Sequence, residues 1–161
     1  MKRVFEIVLI MALLFMGISD TLAANSSCDM VGSVTKYRTY YMTVEYECLG
    51  DNVTGAFPSF DIDGQVIGSK LIEVDYWNTT SEISPTDNSD LDIVDSIGKD
   101  YIGTSGDNIV DGNATTQTFP YSATTSAFFE PLVTNTLTVT TTNNSVADAI
   151  IHYLFIFRTQ E

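Results

Sequence analysis

The stretch Ala149–Thr159, AIIHYLFIFRT, decides the fold. Side chains alternate along a strand, so Ile151, Tyr153, Phe155 and Phe157 fall on one face and Ile150, Leu154 and Ile156 on the other. Its β-branched and aromatic content argues for a strand. A strand apolar on both faces lies centrally between two layers or is buried against a neighbouring subunit. On the second alternative Ile151, Tyr153, Phe155 and Phe157 form an oligomer interface.

Working outward, the same period recurs. In TVEYEC, Thr43–Cys48, Val44, Tyr46 and Cys48 alternate with Thr43, Glu45 and Glu47. LGDNVTG supplies a turn, and AFPSFDIDG a short strand closed by Asp63-Gly64. QVIGSKLIEVDYWN is the longest strand candidate: Val66, Ile72, Val74 and Tyr76 share one face, Glu73 and Asp75 the other. Gly68 suggests a bulge or bend within it. Pro85 makes SPTDNS a loop. In the DLDIVD strand that follows, Leu91 and Ile93 oppose Asp90, Asp92 and Val94. TLTVTTTNN places Leu137 and Val139 inward and ends in an Asn-Asn turn. The one segment that could begin as a helix is NNSVADAIIHYLF, capped by Ser145. With no sustained 3.6-residue stripe, the expectation is an all-β antiparallel sandwich or jelly-roll of one domain, residues 25–161.

Residues 1–24 read as a signal peptide. Basic MKR precedes the apolar run VFEIVLIMALLFMGI, and small residues allow cleavage after Ala23 or Ala24. The run carries Glu6 and falls short of the roughly 20 apolar residues of a spanning helix. A retained membrane anchor, or a pilin-like packing helix, is the alternative. Removing the leader takes Lys2, Arg3, Glu6 and Asp20, two charges of each sign, so the net charge of −14 is unchanged. That acidity opposes binding to nucleic acid and to anionic membranes. Export implies an oxidising compartment, in which Cys28 and Cys48 pair as a disulfide.

Catalytic equipment is sparse. The single His, His152, sits in the most apolar strand, where a packed role outweighs a catalytic one. Zinc or copper sites need several His or Cys ligands, which a chain with a paired cysteine couple does not supply. Carboxylate pairs such as Asp61/Asp63 and Asp90/Asp92 have strand spacing, but so does almost any pair in so acidic a chain. No enzyme is expected, and no cofactor unless calcium. Asp61, Asp63, Asp87, Asp90 and Asp92 are weak calcium candidates, since DIDG and DNSDLD resemble fragments of calcium loops without completing the spacing. The competing reading makes these Asp residues turn formers. Trp77 follows Tyr76 directly, so the two face opposite sides and form no flat sugar platform. Sequons at Asn25, Asn52, Asn78, Asn113 and Asn143 mark exposed loops that glycosylation could use.

From Val53 to Ile109 the chain also resembles small proteins encoded among the virion genes of tailed bacteriophages. Their shared pattern is matched here by Pro85, Thr86, Asp87, Asn88, Asp90, Asp95, Gly98, Asp100, Ile102, Gly103 and Asn108, then by EPLVTNTLTVTTTNN and AIIHYLFIF. Ser89 replaces the usual aromatic, and the cysteine pair and export signal are additions. The resemblance implies a small β-domain that joins an assembly. The function expected is thus a non-enzymatic, exported structural protein that self-associates into a homo-oligomeric surface, filament or virion-like assembly. It would be secreted, at the cell surface or in a virion. An extracellular glycan- or cell-surface-binding module, calcium-dependent or not, is the alternative. Neither reading involves nucleic acid, nor a membrane unless the leader is retained.

Overall fold

The computed structural model describes residues 25–32, 35–37, 40–62, 64–86, 89–108, 116–122 and 127–159. The expected leader, Asp63, Asp87 and Asn113 lie outside them. The strands are β1 (Ser27–Met30), β2 (Thr35–Tyr37), β3 (Tyr41–Leu49), β4 (Phe60–Ile62), β5 (Lys70–Trp77), β6 (Asp90–Asp95), β7 (Thr116–Thr118), β8 (Tyr121–Ser122), β9 (Ala127–Phe128), β10 (Leu137–Thr142) and β11 (Ile150–Arg158). All pair antiparallel. One sheet runs β1-β3-β11-β5-β7, with β2 on the other half of β3; the second runs β4-β10-β6. β8 and β9 form a separate hairpin. The chain is an all-β sandwich.

β11 is the central strand, flanked along its length by β3 and β5. Its aromatic face turns inward: Tyr153, Phe155 and Phe157 are fully buried and Ile151 nearly so. They meet Tyr46 and Val44 of β3, Phe60 of β4, and the inward Ile93, Leu137 and Val139 of the smaller sheet in one core. Ring pairs run from Tyr46 to Phe60 (4.4 Å) and from Phe155 to Tyr46 (6.1 Å), Phe60 (6.2 Å) and Tyr153 (5.9 Å). Such edge and tilted contacts are favourable beyond the area they bury. Ile151, Tyr153, Phe155 and Phe157 are therefore core, and the expectation that they form an oligomer interface is corrected. The second layer, not a neighbouring subunit, covers them.

β5 departs from the sequence reading in two ways. Gly64–Val66 form a 3₁₀ turn, Gly68 has φ +87°, and the strand starts only at Lys70. Of the bulge or bend expected at Gly68, the bend is there, in the turn before the strand, and the bulge lies at Ile72. Phe157 pairs with Leu71 and Ile156 with Glu73, leaving Ile72 as the extra residue. Leu71, Val74 and Tyr76 consequently face the core, while Ile72 is only half-buried. The candidate helix start at Ser145 is a turn with Asn143 and Asp148 at positive φ.

Between Asp95 and Gly103 the carboxylates are fixed by local contacts. Asp95 accepts hydrogen bonds from the N–H groups of Ile97 (3.1 Å) and Lys99 (2.9 Å) and from the Tyr101 hydroxyl (3.2 Å). Gly98 supplies the positive φ this turn requires. Asp100 repeats the device with Ile102 (3.0 Å) and Gly103 (2.8 Å). Asp95 and Asp100 thus act as turn formers.

Candidate functional site

Turning the aromatic face of β11 inward leaves its other face outward. There Ile150, Leu154 and Ile156 are half-buried. Cross-strand register sets their neighbours: Leu154 lies between Glu45 of β3 and Asp75 of β5, Ile156 between Thr43 and Glu73, and His152 between Glu47 and Trp77. The outer face is thus an aliphatic rail bordered by carboxylates. Burial, together with the charge of Asp75 and its hydrogen bond, pushes the Glu73 carboxyl above its usual range. An exposed antiparallel sheet face is normally polar, which makes the rail the unusual feature here.

Toward its Ile150 end the rail is interrupted by His152, which lies between Ile150 and Leu154. Its ring stacks on Trp77 at 5.3 Å and 11°. Nε2 lies 3.0 Å from Glu82 Oε1, and Nδ1 3.8 Å from Glu47. Glu82 also accepts the Thr79 N–H at 2.6 Å. Burial pushes the Glu82 carboxyl up, but the Thr79 N–H and His152 outweigh it and hold it below the usual range. Both ring nitrogens of His152 face carboxylates, so the residue ties the loop after β5 onto the sheet. The Trp77 ring is engaged in the stack with His152.

Past Ile72, the other end opens into a groove of about 470 Å³ lined by Ile72, Phe119, Phe128, Phe129 and Glu130. Phe128 packs edge-on against Phe119 (6.0 Å) and Tyr121 (5.6 Å), yet is 70% exposed. Glu130 is bonded to Arg158. These aromatics escaped sequence reasoning, because TFPYSATTSAFFEP carries no period. The Phe128-Phe129 doublet, set in Ser/Thr-rich sequence between two prolines, was the available signal.

The disulfide expected between Cys28 and Cys48 is present, joining directly opposed residues of β1 and β3. Of the calcium candidates, the described Asp61, Asp90 and Asp92 do not converge. Asp61 on β4 accepts from the Thr138 hydroxyl (2.8 Å). Asp90 accepts from the Asn108 N–H (2.8 Å) and the Asn143 amide (2.5 Å). Asp92 is exposed, and burial together with the charges of Asp100, Asp90 and Asp107 raises its carboxyl. Among the described residues no group of three or more His, Cys, Asp or Glu is placed to hold a metal ion. The sequons divide. Asn25 and Asn143 are exposed and Asn52 half-buried. Asn78 is 4% exposed and donates to Ser84 Oγ at 2.6 Å, so its expected place on an exposed loop is corrected.

No protein-family model and no curated protein matches the chain. Among solved structures it is similar to the capsid asymmetric unit of cyanophage Pam1, at 12% identity, over 85% of this chain and 86% of that one, with a TM-score of 0.40. A likeness this loose fixes neither fold family nor role.

Proposed function

We propose that this chain is a non-catalytic structural module, exported and disulfide-bonded, built into a homo-oligomeric surface, filament or virion-like assembly. The observation that carries the reading is the outer rail of Ile150, Leu154 and Ile156 on the central strand. Complete burial of an aliphatic side chain contributes about 1.5–3 kcal/mol over full exposure, and these three are already half-buried, so a neighbour laid along the rail gains a part of that from each. The carboxylates beside it, Glu45, Glu47, Glu73 and Asp75, make that contact selective, since a covering surface must match or avoid them. The sequence resemblance to tailed-phage virion proteins points to the same class of role.

The test is the assembly state of the natively exported protein, with and without calcium, by light scattering and negative-stain microscopy. Regular particles or fibres are expected. Leu154→Glu, on the outer face and clear of the core, should stop their growth while leaving the melting temperature near that of the parent. A parent protein that stays small up to millimolar concentration overturns the reading.

A further inference from the structure

We infer that two copies of this chain meet about a two-fold axis at the groove of Ile72, Phe119, Phe128 and Phe129, Phe128 of each seated in the groove of the other. The inference rests on the reading of the chain as an assembly module and names one of its contacts. A two-fold contact uses the same patch on both partners, so that patch must hold both a projection and a recess. This one does. Phe128 stands 70% exposed on the short β9, beside a recess whose floor includes Ile72 and Phe129. Phe119, itself 40% exposed, extends the same apolar surface. Contiguous aromatic exposure of this kind marks contact surfaces.

Charge selects a second copy as the occupant. At a net −14, two copies repel wherever unpaired carboxylates would face each other. On the rail, Leu154 and Ile156 have Glu45, Asp75 and Glu73 as cross-strand neighbours. Among the described residues that line the groove the carboxylate is Glu130, and Arg158 already neutralises it. Rail laid on rail about a two-fold axis would set those carboxylates against one another, whereas groove laid on groove brings the neutralised pair of each copy together. The two surfaces also divide the work of assembly. A two-fold contact closes at two copies, so a growing structure needs a second, heterologous contact, in which the rail meets a different patch of the next copy.

The experiment uses Leu154→Glu as background, so that growth through the rail is blocked, and measures self-association by sedimentation velocity from 1 µM to 1 mM. Leu154→Glu is expected to form dimers that 0.5 M NaCl leaves intact or strengthens. Adding Phe128→Ser should weaken dimerisation at least tenfold without lowering the melting temperature, because the ring is largely exposed. Phe119→Ser should act in the same direction. Dimers that persist unchanged in Phe128→Ser, dimers dissolved by salt, or a Leu154→Glu protein that is monomeric at 1 mM overturn the inference. A parent protein that stops at dimers lost in Phe128→Ser supports the inference and overturns the larger assembly.

Discussion

Phe155→Ala separates a core role for the inner face of β11 from an interface role. Phe155 is fully buried, and its ring meets those of Tyr46, Phe60 and Tyr153. Truncating a buried Phe to Ala costs about 3–5 kcal/mol, combining lost transfer free energy with the cavity left behind. Sheets on both sides pin the neighbouring rings, so little collapse is available and the upper half of that range applies. A domain of this size unfolds with about 5–15 kcal/mol, so the variant keeps a fold with much of its margin gone. With a urea slope of about 2 kcal/mol/M, the midpoint should fall by about 2 M. Trp77, the single tryptophan, reports the transition by fluorescence. The measurement is made at two protein concentrations a hundredfold apart. A core residue gives the same shift at both, whereas an interface residue couples the shift to concentration. A fall under 0.5 M, or one confined to a single concentration, refutes the placement of this face inside the sandwich.

Three further outcomes follow from the same structure. Replacing Cys28 and Cys48 by Ser should cost on the order of 3 kcal/mol for the loop of 20 residues they close, a melting temperature lower by roughly 10 °C; a difference under 2 °C contradicts it. Acid should act in two directions. Glu73 and Asp92 have folded pKa values above their unfolded ones, so protonating them as pH falls from neutral toward 5 stabilises the fold. Glu82 and Asp95, buried but held down by N–H donors, and Asp51, held down by Thr54, lose their contribution as pH falls below about 4. The melting temperature should therefore pass through a maximum on the acid side of neutral, and a steady decline from pH 7.5 downward would count against these placements. Gly106→Ala would drive a methyl into the Leu91 carbonyl and toward Ile102 Cδ1 (2.7 Å), costing about 1–3 kcal/mol; an unchanged urea midpoint would show that this approach is looser.

How much of this was legible depended on whether the period held. β3, β6 and β10 each keep an uninterrupted alternation, and each turned the predicted residues inward: Val44 and Tyr46, Leu91 and Ile93, Leu137 and Val139. β5 did so only beyond its bulge, because one extra residue at Ile72 turns Leu71 inward in its place. A composition rich in β-branched residues hides such a bulge. Asn78 misled for a similar reason. Its sequon and flanking threonines read as surface, whereas the Glu82–His152 contact folds the loop after β5 back onto the sheet. That contact joins residues 70 apart in sequence, and no local pattern encodes it.

β11 is the instructive intermediate. Its sequence says that both faces are apolar, and it also says which should be covered first. One face carries Tyr153, Phe155 and Phe157; the other carries aliphatics and His152. Aromatic rings bury the most area, so a chain with one small partner sheet spends it on them. The residue left outside is the aliphatic half, and the assignment of an interface to the aromatic half inverted this order. The acidic stretch obeys a parallel division. A carboxylate has about four acceptor sites, and Asp95 and Asp100 commit theirs to the amides of their own turns. Asp92, on an exposed strand position, instead has its carboxyl raised, by partial desolvation first and then by the charges of Asp100, Asp90 and Asp107. Acidic density in this chain therefore divides into carboxylates consumed by the backbone and carboxylates that repel one another. The second kind, set along the rail as Glu45, Asp75 and Glu73, decides what can approach it.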